Sequence, residues 1–590
     1  MGAKSIARAR YYLGGTFVVE HRPRDGRGRA TAILLLPPMG YEDTCAYRPL
    51  RVLADALASA GHVVLRLDWP MLGDGPQTGE EGDVVARCVG VVQAASASLR
   101  ARGFRRVGTI GLRAGGLIAL AAGGSDDVVL WALPAGGKAY LREERAFHKM
   151  AARAYGDPPA DRVALPTGGV EAGGFVYSAA TVAALEQLVA VDLAAARAAD
   201  VCTGLVAELT GATAIRRVLL LEREGSASPA PLIDVLTGGG AVVRVSPAAG
   251  LGDLLENPYQ AKLDPGVEET ITAWFASAPA TAAGPADIPA HTAAPGGQPT
   301  LFLPDGVTER PWVERGGAGE LGGIVCEPPG GATPGAVWTV FFNAGGIRRS
   351  GPNRLWTRAA RALAAAGRPS LRFDVRDVGD SDGASIPHAD LEAMYSESSI
   401  DDALVAWEWA RAQEAGAIDV VGLCSGAFMG AQVSARRDVR RALLFNGLAW
   451  VWNDDARASG MTSHIRGSLF DARRWRRLMT GRIDAVALAR AVVSKAQLTV
   501  RATVAQLAGQ PPPDAVAALL AAVMARGTHL HLVASEGDPS IAYLDAHVTP
   551  DTRPQLTILR GVDHTIRPVW AHSRVIELII GTESPILGAG

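Results

Sequence analysis

The chain has 590 residues, of which 48% are hydrophobic and 20% charged, a composition typical of a globular protein too long for a single hydrophobic core. Its 58 Lys and Arg residues nearly balance 60 Asp and Glu residues, and the formal net charge is −2. This balance argues against a nucleic-acid-binding protein held by bulk electrostatics, so a charged partner must be recognised at a local site.

The first half of the chain predicts alternating strands and helices. A buried strand at 30–40 is followed by a helix, a strand and a turn across 48–75, and then by a strand, a sharp turn and a helix across 105–124. A further strand precedes a helix-rich insertion at 138–213, and two more strands close this half. This alternation favours a mostly parallel sheet with helices on both faces.

The second half repeats the same order of elements. Residues 277–298 are rich in Ala, Pro and Gly without helical or strand periodicity, which predicts a semi-extended linker. Beyond it, strand and helix signals recur at 336–351, 354–383 and 417–435, and a second helix-rich insertion covers about 452–526.

The sequence therefore predicts an α/β fold built from two tandem domains, 1–276 and 299–590, each a doubly wound, mostly parallel sheet. In each domain the insertion is expected to form a lid over the carboxyl edge of the sheet. A ligand would bind at that edge.

The segment VGLCSG, residues 421–426, has the pattern of a nucleophile elbow, a tight turn that holds its central side chain above the sheet at the start of a helix. Cys424 is that central residue, and the helix dipole would favour its thiolate. The backbone N–H of Ser425 is a candidate oxyanion donor, and we expect a second donor at Gly345 or Gly346. The alternative is a buried structural cysteine beside glycines that pack a helix.

An acid and a histidine follow the late strands in the order nucleophile, acid, histidine. Asp538 comes just past one strand and His564 just past the next. In this interpretation His564 takes the Cys424 proton, Asp538 stabilises the imidazolium, and the thiolate attacks an acyl carbonyl. Asp538 could instead only open a turn before Pro539. The local competitors for the two roles are Glu536, Asp563, His529 and His531.

The first half lacks all three functions at the matching positions. Arg113 stands in the turn, Ser226 stands at the acid position, and no histidine follows the last strand. A protonated guanidinium is not a nucleophile, so the first domain is interpreted as a degenerate copy that supports the active half. The alternative is that Arg113 binds a carboxylate or phosphate of a substrate or carrier.

A second basic feature lies in the second insertion, where four arginines flank Trp475. They could receive the phosphates of CoA or of a phosphopantetheine arm, and a solvated helix face is the alternative. These residues are Arg473, Arg474, Arg476 and Arg477.

These motifs resemble the α/β-hydrolase superfamily over nearly the whole chain, as a tandem pair. The segments GGIRRSGPNR and VGLCSGA are similar to bacterial hydrolase-like proteins associated with exosortase systems, and LLLPPMGYEDTCAYRPL resembles a second type from the same setting. The resemblance implies the α/β-hydrolase fold and the triad roles of Cys424, Asp538 and His564. A cysteine at this turn also occurs in dienelactone hydrolases, polyester synthases and some thioesterase-like acyl-transfer enzymes.

We therefore expect an acyltransferase that moves an acyl group from a carrier-protein or CoA thioester to a small-molecule acceptor in specialised metabolism. A thioester acyl-enzyme stays reactive toward amines, alcohols and thiols, which favours transfer. A thioesterase or esterase with the same triad is the first alternative, and a noncatalytic scaffold is the second.

The spacing of the cysteines and the length of the apolar runs predict the cellular compartment. Five cysteines without a CxxC pair predict neither a zinc site nor a disulfide framework, and they favour a reducing cytoplasm. No apolar segment follows the basic N-terminus and no apolar run reaches about 18 residues, so we expect neither secretion nor a membrane span. No cofactor is predicted, and the oligomeric state is left open.

Overall fold

A computed structural model describes most of the chain. The described residues are 6–24, 31–76, 83–155, 165, 167–202, 215–255, 257–258, 260–278, 297–317, 319–383, 391–452, 514–549 and 552–581.

Twenty strands occur in these ranges. They are β1 (Ile6–Leu13), β2 (Thr16–Pro23), β3 (Thr31–Leu36), β4 (Val63–Leu67), β5 (Arg106–Leu112), β6 (Asp127–Trp131), β7 (Val170–Ala172), β8 (Phe175–Tyr177), β9 (Arg217–Arg223), β10 (Val242–Ala248), β11 (Gly297–Gln298), β12 (Leu301–Phe302), β13 (Thr308–Gly316), β14 (Gly319–Glu327), β15 (Val337–Phe341), β16 (Ser370–Phe373), β17 (Ala417–Leu423), β18 (Arg441–Phe445), β19 (His529–Ser535) and β20 (Gln555–Leu559).

The α-helices of the described ranges alternate with these strands. They are α1 (Gly40–Ser59), α2 (Val84–Ala101), α3 (Ala114–Ala122), α4 (Gly137–Ala151), α5 (Ala179–Gln187), α6 (Ala190–Cys202), α7 (Ala230–Gly238), α8 (Leu251–Leu255), α9 (Pro265–Ala276), α10 (Leu355–Ala365), α11 (Leu391–Met394), α12 (Glu397–Ala412), α13 (Ser425–Arg436), α14 (Ala515–Ala525), α15 (Pro539–Asp545) and α16 (His572–Ile580).

The chain divides into two compact units. Unit 1 comprises Met1–Ala332, Gly346–Asp390 and Ile566–Gly590, and unit 2 comprises Thr333–Gly345 and Leu391–Thr565. Three segments of the second half, 299–332, 346–390 and 566–590, fall in unit 1. The domain boundary at the Ala/Pro-rich linker stays a prediction.

Unit 1 contains a nine-stranded sheet in the order β10-β9-β6-β5-β3-β4-β2-β1-β11. The strands from β10 to β4 pair in parallel, and β2 joins β4 antiparallel. In β3, Ile33 and Leu35 pack into one hydrophobic cluster, whereas Leu34 and Leu36 pack into another. An unbroken apolar strand is expected where helices cover both faces of a parallel sheet, and this sheet is covered on both faces.

Helix α2 is the one helix of the described residues that is long and apolar enough to cross a membrane by length and composition. Asp83 caps its first turn by accepting the N–H groups of Val85 and Ala86. Its Val92 and Leu99 side chains are buried in the hydrophobic core of unit 1, which is the packing of a core helix.

Unit 1 also contains a buried ion-pair network that joins the two halves of the sequence. Arg348 lies 2.7 Å from Asp68 and 2.8 Å from Asp43. Arg349 lies 2.7 Å from Asp74, and its neighbours Asp374 and Asp380 lie at 2.6 Å and 2.8 Å. Two further ion pairs link Arg372 to Asp74 and Glu309, both at 2.6 Å. The carboxylates of 43–74 thus bind arginines that lie about 300 positions later in the sequence.

Unit 2 contains five parallel strands in the order β15-β17-β18-β19-β20. The carboxyl ends of parallel strands meet at one edge, so the residues that follow β17, β19 and β20 are brought to the same edge. Cys424 directly follows β17, Asp538 lies three residues past β19, and His564 lies five residues past β20. The predicted α/β fold is confirmed, with strand and helix alternation in both halves.

The two predicted insertions are described to different extents. The first contains α4, the antiparallel ribbon β7-β8, α5 and α6. In the second, residues 453–513 lie outside the described residues, and α14 begins at its carboxyl end, where Asp514 accepts the N–H groups of Val516 and Ala517.

Candidate active site

Cys424 lies in a strained turn between β17 and α13. Its backbone has φ 58° and ψ −114°, and its N–H donates to the Phe445 carbonyl oxygen at 3.0 Å. The flanking glycines are required by space: a Cβ on Gly422 would lie 2.1 Å from the Gly426 carbonyl oxygen, and one on Gly426 would lie 2.6 Å from that of Asn343. A non-glycine residue at positive φ costs energy and is retained where it aims a side chain, which is the geometry of a nucleophile elbow.

Asp538 and His564 are in contact at the same edge. His564 Nδ1 lies 2.7 Å from Asp538 Oδ2, and Asp538 Oδ1 accepts the N–H of Ser540 at 2.9 Å. The Asp538 side chain is 2% exposed and that of His564 is 29% exposed. Asp538 therefore caps α15, as its position before Pro539 suggested, and also orients the imidazole.

The thiol and the imidazole shift each other's proton affinity. Burial raises the pKa of Cys424, but the charge and hydrogen bonding of His564, together with hydrogen bonds from Tyr395 and the Ser425 N–H, bring that pKa below its ordinary value. Burial lowers the pKa of His564, but Cys424 and Asp538 raise it well above its ordinary value. His564 Nε2 is buried and makes no further hydrogen bond of ordinary geometry within the described part of the chain. This arrangement favours a thiolate–imidazolium pair.

Three other cysteines lack such an environment. Cys45, Cys88 and Cys326 are buried, and desolvation raises the pKa of each thiol. Cys424 is partly exposed. The alternative of a buried structural cysteine fits these three positions better than it fits Cys424.

Two of the predicted oxyanion residues lie together beside the turn. The N–H of Ser425 hydrogen-bonds toward Cys424 and lowers its pKa. The N–H of Gly345 donates to Ser425 Oγ at 2.9 Å, and Ser425 Oγ donates to the Asn343 carbonyl oxygen at 3.4 Å. Ser425 thereby fixes the loop after β15 against the elbow. Gly346 belongs to unit 1. The oxyanion-donor roles of Ser425, Gly345 and Gly346 stay predictions.

Tyr395 is a site residue that the sequence did not predict. Its Oη lies 3.4 Å from Cys424 Sγ, and this contact lowers the pKa of the thiol. The ring stacks on Trp452 at a centroid distance of 4.5 Å and packs against Phe428 at 5.2 Å. Tyr395 lies between α11 and α12, and no motif in the surrounding sequence MYSESSI signals its approach to Cys424.

The local competitors have other partners or positions. His531 Nε2 lies 2.8 Å from Thr557 Oγ1, and burial lowers the pKa of this histidine to about 4. His529 is exposed at the start of β19, Glu536 is exposed just after it, and Asp563 accepts the hydroxyl of Thr565 at 2.9 Å. No group of three or more His, Cys, Asp or Glu side chains suited to a metal ion occurs among the described residues.

The first half has the same turn, but the side chain at its centre is an arginine paired with glutamates. Arg113 Nε lies 3.0 Å from Glu42, and its Nη2 lies 2.7 Å from Glu143, which also contacts Arg223 at 3.3 Å. Burial lowers the pKa of Arg113, and the two glutamates raise it above its ordinary value. The guanidinium is thus neutralised within the protein, and binding of an external anion by Arg113 stays a prediction. The predicted phosphate-binding residues Arg473, Arg474, Arg476 and Arg477 lie outside the described residues.

No protein-family model matches the chain, and no curated protein matches its sequence. Solved structures similar to it include an α/β serine hydrolase homologue from Coxiella burnetii, with 13% identity, coverage of 47% of this chain and 97% of that chain, and a TM-score of 0.29. Dienelactone hydrolase from Anabaena variabilis shows 15% identity, coverage of 47% and 96%, and a TM-score of 0.29. Est1E from Butyrivibrio proteoclasticus shows 10% identity, coverage of 46% and 96%, and a TM-score of 0.30.

The fold is assigned from the strand order of the protein and from the turn at Cys424. Parallel strands lead into a sharp turn with φ 58° at Cys424, and an acid and a histidine follow the last two strands of the same unit. This is the arrangement of an α/β-hydrolase domain. The chain has the α/β-hydrolase fold in both halves, with a cysteine at the elbow of the second and an arginine at the elbow of the first.

Proposed function

We propose that the protein is an acyltransferase in which Cys424 carries the acyl group as a thioester. The donor would be an acyl-carrier-protein or CoA thioester, and the acceptor a small molecule with an amine, alcohol or thiol. The observation that supports the proposal is the 2.7 Å contact of His564 with Asp538 beside a partly exposed cysteine of lowered pKa.

Each group has one task in the first half-reaction. The Cys424 thiolate attacks the carbonyl carbon of the donor, and the carbonyl electrons move to oxygen, where the N–H of Ser425 is the candidate donor. The intermediate collapses, the carbon–sulfur bond to the carrier breaks, and the departing thiolate takes the proton from His564 Nε2. Asp538 keeps the imidazole oriented throughout.

The second half-reaction reverses these roles. The acceptor gives its proton to His564 Nε2 as it attacks the thioester carbonyl, and collapse returns the electron pair to Cys424 sulfur. The thiolate–imidazolium pair is restored without an external oxidant or reductant.

Transfer is preferred to hydrolysis because of the nucleophile and its surroundings. A thioester acyl-enzyme reacts readily with amines and thiols. The hydroxyl of Tyr395 lies 3.4 Å from Cys424 Sγ, and its ring stacks on Trp452 and packs against Phe428. In this proposal the aromatic cluster limits the access of water to the intermediate. A thioesterase with the same triad is the second candidate, since water could discharge the same intermediate.

The test is intact-mass analysis after incubation with short and medium acyl thioesters and no acceptor. We expect a mass gain on the parent protein and on Cys326→Ala, a buried-cysteine control, and none on Cys424→Ala. Amines, alcohols and thiols are then added: discharge only with an acceptor supports transfer, whereas rapid release of free acid in water supports the thioesterase. A parent protein that gains no mass and consumes no thioester would favour the scaffold alternative.

A further inference from the structure

We infer that Asn446 and Ser535 are positioning residues that hold the main chain of the His564 loop so that the imidazole faces Cys424. The inference rests on the proposed function. It concerns two buried polar side chains that the mechanism above does not use.

The side chain of Asn446 spans two strand ends and the histidine loop. Its Nδ2 donates to the His564 carbonyl oxygen at 2.7 Å and to Ser535 Oγ at 2.9 Å, and its Oδ1 accepts the Ser535 N–H at 2.7 Å. Ser535 Oγ in turn donates to the Asp563 carbonyl oxygen at 3.0 Å. The main-chain carbonyls of 563 and 564 are therefore each held by a side chain at the carboxyl edge of the sheet.

Burial makes these contacts strong constraints. Asn446 is 2% exposed and Ser535 is 1% exposed, so water does not compete effectively for their hydrogen bonds. The backbone of Asn446 has φ 46°, a conformation that Asn adopts more easily than most residues. The position thus combines a favourable backbone with a side chain that reaches the histidine loop.

The first half shows that the fold does not need this pair. Ala132 follows β6 as Asn446 follows β18, with φ 49°, and its N–H donates to the Leu221 carbonyl oxygen at 2.8 Å. Asn446 makes the same 2.8 Å bond to the Val533 carbonyl oxygen.

The strand registers also match. Trp131 pairs with Leu221 in the first half and Phe445 pairs with Val533 in the second, so Arg223 stands where Ser535 stands. The ends of β6 and β9 thus keep this geometry with Ala132 and Arg223 at the two positions. The Asn–Ser pair is present only in the half that also has the cysteine, the acid and the histidine.

The test compares Asn446→Asp and Ser535→Ala with a control, Ser434→Ala. Asn446→Asp preserves shape but replaces the donor to the His564 carbonyl with an acceptor. Ser434 is a buried hydroxyl on α13 that donates to the Gly430 carbonyl oxygen at 2.7 Å, away from the histidine loop. Each variant is assayed for folding by thermal melting, for thioester consumption, and for iodoacetamide alkylation of Cys424 as a function of pH.

We expect Asn446→Asp to lower kcat by about 10- to 100-fold with KM nearly unchanged, since misplacing a catalytic group by about 1 Å has effects of this size. The alkylation midpoint should move up toward about pH 8.5, the pKa of a free cysteine. Ser535→Ala should lower kcat and raise the alkylation midpoint by smaller amounts. Ser434→Ala should leave kcat and the midpoint unchanged. A merely structural role would lower the melting temperature without moving the alkylation midpoint.

A folded Asn446→Asp variant with parental kcat and alkylation midpoint would overturn the inference. If that variant does not fold, a folded Ser535→Ala variant with both parental values would do so. The proposed function is judged separately. If the parent protein is alkylated at low pH but consumes no thioester, the proposed acyl chemistry is wrong. An upward shift of the alkylation midpoint in Asn446→Asp would still support the positioning role.

Discussion

Arg113 has the same backbone conformation as Cys424, with φ 54° and ψ −119° against φ 58° and ψ −114°. Both N–H groups donate to the last residue of the neighbouring strand, at 2.9 Å and 3.0 Å. The two elbows therefore differ in side chains, not in main-chain geometry. The reactivity proposed for Cys424 therefore depends on the groups that surround it.

The first prediction uses this pair of turns. Arg113→Cys in a Cys424→Ala background should place a thiol on an equivalent elbow that lacks a histidine and lies beside Glu42 and Glu143. Neighbouring carboxylates raise the pKa of a thiol, so we expect no iodoacetamide adduct at pH 6 by intact mass, where Cys424 of the parent is modified. Equal reactivity of the two thiols would mean that the turn and helix dipole alone activate Cys424.

The second prediction concerns pH. In the proposed mechanism the reactive form has a thiolate and an imidazolium, so we expect thioester consumption to fall below the pKa of Cys424, which is lowered, and above that of His564, which is raised. The pH profile should be a broad bell that includes neutral pH. Asp538→Asn should move the alkaline limb to lower pH, because Asp538 helps to raise the pKa of His564. A single limb near pH 8.5 would indicate an isolated thiol.

The third prediction concerns the hydroxyl 3.4 Å from Cys424 Sγ. Tyr395→Phe keeps the stacking on Trp452 but removes a hydrogen bond that stabilises the thiolate. Such bonds to charged groups contribute about 1.5–3 kcal/mol, so we expect roughly 10-fold slower alkylation at pH 6 and an upward shift of the midpoint.

The control for this variant is Tyr543→Phe, at a tyrosine that packs edge-on against His547 at 4.8 Å. In the Tyr543→Phe variant, Cys424 should be alkylated at the parental rate. An unchanged midpoint in a folded Tyr395→Phe variant would show that the Tyr395 hydroxyl does not act on the thiolate.

The elbow, the acid and the histidine could be predicted because their signals are local. Gly422 and Gly426 are fixed by carbonyl oxygens within 2.1 Å and 2.6 Å of a hypothetical Cβ, so the turn appears in the sequence as a glycine pattern. Asp538 and His564 follow apolar strands directly. The parallel order of those strands then brings them to one edge without further information.

The remaining residues could not be predicted because their partners are distant in sequence. Tyr395 reaches Cys424 from a segment 29 positions earlier, and Asn446 reaches His564 across 118 positions. Arg348 is 3% exposed and paired with Asp68 across 280 positions. For the same reason the composition of the linker did not indicate which segments belong to unit 1.

The fourth prediction tests the buried ion network. Arg349→Met leaves Asp74, Asp374 and Asp380 without their shared cation, and all four side chains are 0% exposed. Breaking a buried pair in this way costs about 3–5 kcal/mol in the free energy of unfolding, which urea denaturation would measure. The control is Arg436→Met, whose partner Glu397 is 68% exposed, and it should cost less than about 1 kcal/mol. Similar losses for both variants would argue against a special role for the network.

The last prediction concerns the two halves as separate chains. Asp43, Asp68 and Asp74 come from the first half, and Arg348, Arg349 and Arg372 come from the second. Expressed alone, residues 299–590 would retain the arginines without these carboxylates, and uncompensated buried charges destabilise a fold strongly. We therefore expect this fragment to be insoluble, whereas coexpression with 1–298 should give soluble protein that elutes as one species containing both pieces. Parental alkylation of Cys424 in that complex would show that the first half is needed as a folding partner, and a soluble, reactive 299–590 fragment would contradict this.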